Sequence, residues 1–216
     1  HVEEPRVGQC YPNYYACRLA SKFNKVILAG IGGDEIFGGY PWRYYRTAKS
    51  ETFQEYVEEY YDYWQRLIPE EYLPKIFGSL NKTINSLDLK SIFSKIFPEN
   101  WRKKDLGPSD YLNLSLYFEA KTFLHGLLTV EDKLSMGQGL EARVPFLDND
   151  LVDFSQKLPA RYKVRELEKV NPLDENLQGR KRDTNVNWQK TNDGKLLLRE
   201  VLTNFLPENI TNGRKQ

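Results

Sequence analysis

The sequence predicts a mainly helical piece of an α/β domain, with one clear parallel strand at residues 25–29 and helices around it. Three observations predict this. "KVILA", residues 25–29, is short, β-branched and apolar on both faces, the pattern of a buried parallel strand. A glycine-rich stretch, "GIGGDE", follows it directly and puts two acids at the start of the next element. Beyond that, apolar residues recur with helical periodicity.

The elements follow in order. Residues 11–23 read as a helix with Tyr15, Leu19 and Phe23 four apart. The cluster Trp42-Arg43-Tyr44-Tyr45-Arg46 is expected to pack the helix after the loop, its arginines at the rim. Thr52 and Glu55 form a T-x-x-E capping pattern. Behind it Phe53, Tyr56, Val57, Tyr60, Tyr61 and Trp64 fall on one apolar stripe. Acidic rather than basic residues interleave these aromatics, so the stripe reads as core and not as a base-stacking surface. Residues 70–108 read as short helices joined by turns, and Ser109-Asp110 as the cap of a long helix running from Tyr111 towards His125. His125 reads as a surface or satisfied core histidine, and Met136 as packing. Asp148 caps the helix "NDLVDFSQKL" or sits just before its cap. Residues 160–194 are polar and rich in turn formers, a flexible loop or lid. Leu198, Val201, Leu202 and Phe205 restore helical spacing until Pro207.

Composition excludes some classes of function. Net charge is +1, so bulk electrostatics point to neither nucleic acid nor an anionic membrane as partner. Cys10 and Cys17 share a helix face, and Cα atoms two turns apart lie about 10 Å from each other, too far for a disulfide. Reduced thiols fit a cytoplasmic protein. With only two histidines, a zinc cluster is not expected. No apolar run reaches the roughly 20 residues that span a bilayer. The chain starts "HVEEP" and stops at "NGRKQ", which suggests a piece of a longer protein.

A glycine loop after a strand suits a nucleotide. Glycines let a ligand approach the backbone, and in open α/β sheets ligands bind at the carboxyl ends of strands. An acid there can hold Mg²⁺ together with substrate phosphates. The loop is no common fingerprint, because Glu35 stands where G-x-G-x-x-G needs its last glycine. Asp34 and Glu35 could equally supply only helix-start charge.

Three stretches in order, "LAGIGGDEIFGGY", "LLTVEDKLSMGQGLEARVPFLDNDLVDFSQKLP" and "KLLLREVLTNFLPENITNGRKQ", resemble the synthetase domain of glutamine-dependent asparagine synthetases. The resemblance covers the chain except 70–108 and 165–194. It implies an α/β domain of the ATP-pyrophosphatase type (adenine nucleotide alpha hydrolase-like). Residues 1–216 would form one partial domain, the C-terminal part of the synthetase domain. The glutaminase domain and the S-G-G-x-D-S loop that cradles pyrophosphate are missing, so the fragment alone is expected to be inactive.

The chemistry implied is amide formation with ATP. Aspartate's carboxylate attacks the α-phosphate, and ammonia from glutamine then displaces AMP from the aspartyl-adenylate. By the resemblance, Ala29 and Gly30 line the AMP moiety, Gly32 and Gly33 line the substrate side, and Asp34 is the Mg²⁺ ligand. Lys215 matches the lysine that stabilises the pentavalent phosphate, a catalytic role. Glu141 and Arg143 read instead as an ion-paired brace. The chain departs from the family pattern at Ile31, where an acid is usual, at Ala29 for Ser and at Lys133 for Arg. Two alternatives therefore stand beside asparagine formation. One is an amide ligase with another carboxylate acceptor, and the other is a non-catalytic helical module that keeps the scaffold. An exposed strand also needs a partner, which is expected from another copy, as a homo-oligomer, or from other parts of the chain.

Overall fold

The computed structural model describes residues 2, 10–65, 68, 70–78, 86–102, 105–167 and 193–211. The strand at 25–29 is present as β1 (Val26–Leu28), and it is not alone. A second strand, β2 (Glu141–Arg143), runs parallel to it, with Val26 opposite Glu141, Ile27 opposite Ala142 and Leu28 opposite Arg143. Two charged residues around an alanine carry no apolar alternation, so β2 is invisible to periodicity. The backbone pairing to β1 forms it.

Among the described residues the sheet is covered on one face only. Helix α1 (Cys10–Ala20) and a later helix pack there, where Ile27 joins Cys17, Leu134 and Leu140. Val26 and Leu28 point the other way, and Leu28 is 73% exposed. The expected two-sided burial is thus absent among the described residues. Likewise the Tyr15, Leu19, Phe23 row is exposed, Phe23 at 76%, because α1 docks through its small side around Cys17. Spacing reveals an apolar row but not whether a partner covers it.

After β1 come α2 (Gly33–Phe37), α3 (Pro41–Thr47) and α4 (Phe53–Trp64). Thr52 caps α4 as expected, its hydroxyl accepting from the Glu55 amide at 3.1 Å. Glu55 reaches back one residue further than a regular box, to the Glu51 amide at 2.7 Å. The apolar stripe of α4 is the main core. Tyr56 stacks on Tyr111 at 5.2 Å between ring centres, and Phe93 meets Phe118 at 4.7 Å. Such ring pairs add to the burial of large apolar surfaces.

Residues 70–108 do contain short helices, α5 (Leu73–Ile76) and α6 (Leu89–Ser94). The long helix expected from Tyr111 is two helices, α7 (Pro108–Lys121) and α8 (Phe123–Met136). Thr122 separates them at φ −120°, its hydroxyl bonded back to the Phe118 carbonyl at 2.8 Å. Gly107, not Ser109 or Asp110, is the cap residue, with Pro108 in the first turn. Asp110 turns back to accept the Gly107 amide at 3.0 Å. His125 is exposed, as is Met136, which packs into no core. Helix α9 (Asn149–Lys157) is capped by Asp148, whose Oδ1 accepts the Asp150 and Leu151 amides.

The polar stretch 160–194 has ordered ends. A 3-10 turn spans Ala160–Tyr162, and Val164 forms an antiparallel bridge with Gly194. Its interior, 168–192, lies outside the described residues. Helices α10 (Leu196–Leu202) and α11 (Glu208–Thr211) follow, with Arg199 tying them together through the Gly194 and Thr211 carbonyls.

Candidate functional site

The two strands end side by side, and the backbone of Ala29 still bonds across, its amide donating to the Arg143 carbonyl at 2.8 Å. The chain then leaves the sheet at the carboxyl end of β1. Gly30 is exposed, and a methyl group added there would meet nothing within 4 Å. Gly30 therefore borders open space, while Ala29 and Ile31 on either side of it are half-buried.

Gly32 and Gly33 are different. Both are buried, and Gly32 sits at φ +97°, a conformation that favours glycine. A Cβ on Gly32 would lie 2.4 Å from Leu147 Cδ2, and one on Gly33 3.2 Å from Phe146 Cδ2. The "PFL" turn of the second motif thus fills the space these glycines leave. The second pair, Gly38 and Gly39, repeats the device: Gly38 sits at φ +71°, and a Cβ on it would lie 2.7 Å from Val164 Cγ2. A Cβ on Gly39 would lie 1.7 Å from Asp34 Oδ1, and one on Gly194 2.5 Å from the Gly38 carbonyl oxygen.

Asp34 is therefore folded back against Gly39. Its Oδ1 lies 2.9 Å from Lys195 Nζ, both side chains being about three-quarters covered. Lys195 adopts φ +56°, directly before α10. All three sequence motifs meet at this loop: the glycine motif, Phe146–Leu147 and Lys195. Lys215 lies outside the described residues.

Around the loop, the buried carboxylates are paired. Glu35 accepts the Gly32 amide at 3.2 Å and the Tyr40 hydroxyl at 2.9 Å. Burial raises the Tyr40 hydroxyl pKa far above its ordinary value, helped by Glu35 and Asp34, so it stays a donor. Arg43 is not at a rim. It is 5% exposed, stacked at 3.7 Å on the Tyr40 ring and 3.3 Å from Glu119 Oε1. Burial opposes its charge most strongly of any one effect, but Glu119 together with Tyr63, Tyr44 and Tyr60 outweighs it and holds the guanidinium protonated. Glu119, wholly buried, also accepts the Tyr44 and Tyr60 hydroxyls at 3.1 and 3.0 Å. Burial still raises its pKa above the usual carboxylate range, against the pull of Arg43 and these donors.

Elsewhere, Glu141 and Arg143 form an exposed pair at 2.8 Å, the brace expected, on the same side of β2. Lys133 donates to the Val2 carbonyl at 2.8 Å. Lys163, beside Gly38, is buried, and desolvation lowers its pKa to about 8. A cavity of about 730 Å³ opens between Pro108–Ser109, Arg161–Leu167 and the first turns of α10. None of Ala29–Asp34 lines it, so its size does not mark the glycine loop.

The exposed backbone at Gly30 leaves room for a ligand to approach it. The loop's acids do not form a resident metal site: Glu35 is committed to protein donors, and no cluster of three candidate ligands exists among the described residues. Asp34 fits a magnesium ion that arrives with nucleotide phosphates, which supply most of its ligands. Lys195 and Tyr40 escaped the sequence reading. The spacing Gly32-x-x-Glu35 was a local clue to Glu35's turn back. Nothing local links Lys195 to Asp34.

The family profile described as asparagine synthase matches residues 1–216. Glutamine-hydrolyzing asparagine synthetase 3 of Bacillus subtilis is 32% identical over 168 residues, covering 76% of this chain and 25% of that protein. Glutamine-hydrolyzing asparagine synthetase 1 of the same organism is 26% identical over 242 residues, covering 100% of this chain and 34% of that protein. The chain thus spans between a quarter and about a third of the length of these relatives. No solved structure matches it. The chain belongs to the asparagine synthase family, and its helices around a parallel sheet are part of an α/β fold of the ATP-pyrophosphatase type.

Proposed function

We propose that this chain is part of an ATP-dependent amidoligase that converts aspartate to asparagine through an aspartyl-adenylate, with ammonia drawn from glutamine. The observation that carries the proposal is the meeting of the three motifs at one loop, with Asp34 and Lys195 2.9 Å apart in the loop that opens at the exposed backbone of Gly30. In this reading AMP lies along Ala29 and Gly30, whose lack of bulk lets the ligand approach. Gly32 and Gly33 shape the substrate side through their backbone. Asp34 holds the magnesium of MgATP, and Lys215 has the family lysine's role of stabilising the pentavalent phosphate and the departing pyrophosphate. Fixed cations suit a transition state that spreads negative charge over phosphate oxygens.

The rest of the polypeptide would supply the pyrophosphate loop, the glutaminase and the cover for the exposed faces of β1 and α1. Residues 1–216 alone would then be inactive. Among the described residues no helix is long and apolar enough to cross a membrane, and both cysteines are free, which agrees with work in the cytoplasm. The test is product identity. The full polypeptide, given aspartate, MgATP and glutamine, should form asparagine, AMP and pyrophosphate in equal amounts. Formation of ADP and phosphate would refute the reading.

Ile31 favours a second reading, in which the same adenylation serves another carboxylate acceptor. A half-buried hydrocarbon between Gly30 and Gly32 can neither take a proton nor orient an amine. A panel of acceptor acids separates the two: the true acceptor gives the highest kcat/KM for pyrophosphate release.

A further inference from the structure

Glu35 is the one acid of the glycine motif with no role in the proposed chemistry, yet it is 2% exposed and costly to bury unless satisfied. Its two oxygens are spent on different tasks. Oε2 accepts the Gly32 amide at 3.2 Å, and Oε1 accepts the Tyr40 hydroxyl at 2.9 Å. Both contacts lie within the protein, so Glu35 does not serve as a second metal carboxylate.

Tyr40 is in turn fixed from behind. The Arg43 guanidinium lies 3.7 Å over its ring, and Arg43 is paired with Glu119 at 3.3 Å. Glu119 collects hydroxyls from Tyr44 on α3 and Tyr60 on α4, while it is itself carried on α7. A continuous series of contacts therefore runs from a fully buried carboxylate of the core to the amide of Gly32. That amide belongs to the loop residue with the least common backbone conformation, φ +97°. Hydrogen bonds of this kind fix a loop only if their far end is rigid, and three helices hold this one.

We infer that Glu35 and Tyr40 are positioning residues for the Gly30–Gly33 loop, anchored on the Arg43–Glu119 pair. They act through the backbone and touch no substrate. The inference rests on the nucleotide reading above for its purpose, but not for its geometry.

The test uses the full polypeptide, with Tyr40→Phe, Glu35→Ala and Glu35→Gln. Tyr40→Phe removes one hydroxyl and keeps the ring under Arg43. Glutamine at position 35 can still accept from Gly32 and meet Tyr40, whereas alanine can do neither. Deuterium exchange of the amides at 30–34 should quicken about tenfold in Tyr40→Phe and more in Glu35→Ala, with exchange at 56–63 unchanged. Glu35→Gln should restore most of the protection. In turnover, KM for ATP should rise about fivefold in Tyr40→Phe while kcat stays within about twofold, the mark of lost uniform binding. Wild-type exchange at 30–34 in both Tyr40→Phe and Glu35→Ala overturns the inference, and so does an equal rise at 56–63, which signals general loosening. A wild-type protein that never cleaves ATP would refute the functional reading, and the exchange data would still decide the brace.

Discussion

Lys195 Nζ lies 2.9 Å from Asp34 Oδ1, so the first residue of the third motif holds the acid of the first. A cation at this distance stabilises the carboxylate but competes with a metal for the same oxygen. We expect Lys195→Met to lower the Mg²⁺ concentration that half-saturates pyrophosphate release, by about tenfold if the two compete directly. Magnesium titration of variant and parent checks this. An unchanged midpoint means that the metal does not use Asp34 Oδ1.

The Arg43–Glu119 pair makes a prediction about stability. Both partners are buried, and removing one leaves an uncompensated charge. Glu119→Leu should cost about 3–5 kcal/mol in urea unfolding, and Arg43→Met in the same chain should recover much of it. The pH dependence has a definite sign. Glu119 has a folded pKa raised by burial, so the folded state binds more protons than the unfolded one between pH 4.5 and that raised value. The stability of the parent relative to Glu119→Gln should therefore rise as pH falls through this window. A relative stability that falls there would contradict the assignment.

Lys163 carries the opposite case. Desolvation lowers its pKa from 10.5 to about 8, so between these values the folded state binds fewer protons. Stability relative to Lys163→Met should rise as pH climbs from 8 towards 10.5, and the variant should be the more stable protein below pH 8. Melting temperatures across that range provide the measurement.

Gly32 meets two constraints that can be separated. Alanine there would strain a backbone at φ +97° and strike Leu147 at 2.4 Å. We expect Gly32→Ala to destabilise by at least about 1–2 kcal/mol from the backbone alone, with the clash added. Leu147→Ala in that background should relieve the clash and leave the strain. Full recovery would mean that the positive φ is not required.

How much of this could be read from the sequence depends on the range of each interaction. Helix α4 and the Thr52 and Asp148 caps were legible because their signals lie within one turn. β1 was legible from its composition. β2 was not, because "EAR" becomes a strand only through its distant neighbour. Arg43 looked like a rim residue, since nothing near position 43 announces Glu119, 76 residues away. The exposed rows of α1 and β1 show the reverse limit: their spacing is that of a core, but no described residue covers them. At the site, the loop and Asp34 could be singled out from one stretch. The Lys195 contact and the fit of Leu147 against Gly32 required the chain to be folded.

The central claim is that a carboxylate is activated by bonding to the α-phosphate of ATP. Aspartate labelled with ¹⁸O in its side-chain carboxylate tests it most directly, in the full polypeptide with MgATP and ammonia. One labelled oxygen should appear in AMP, left there when ammonia takes the acyl carbon. Label in inorganic phosphate, with AMP unlabelled, would contradict it.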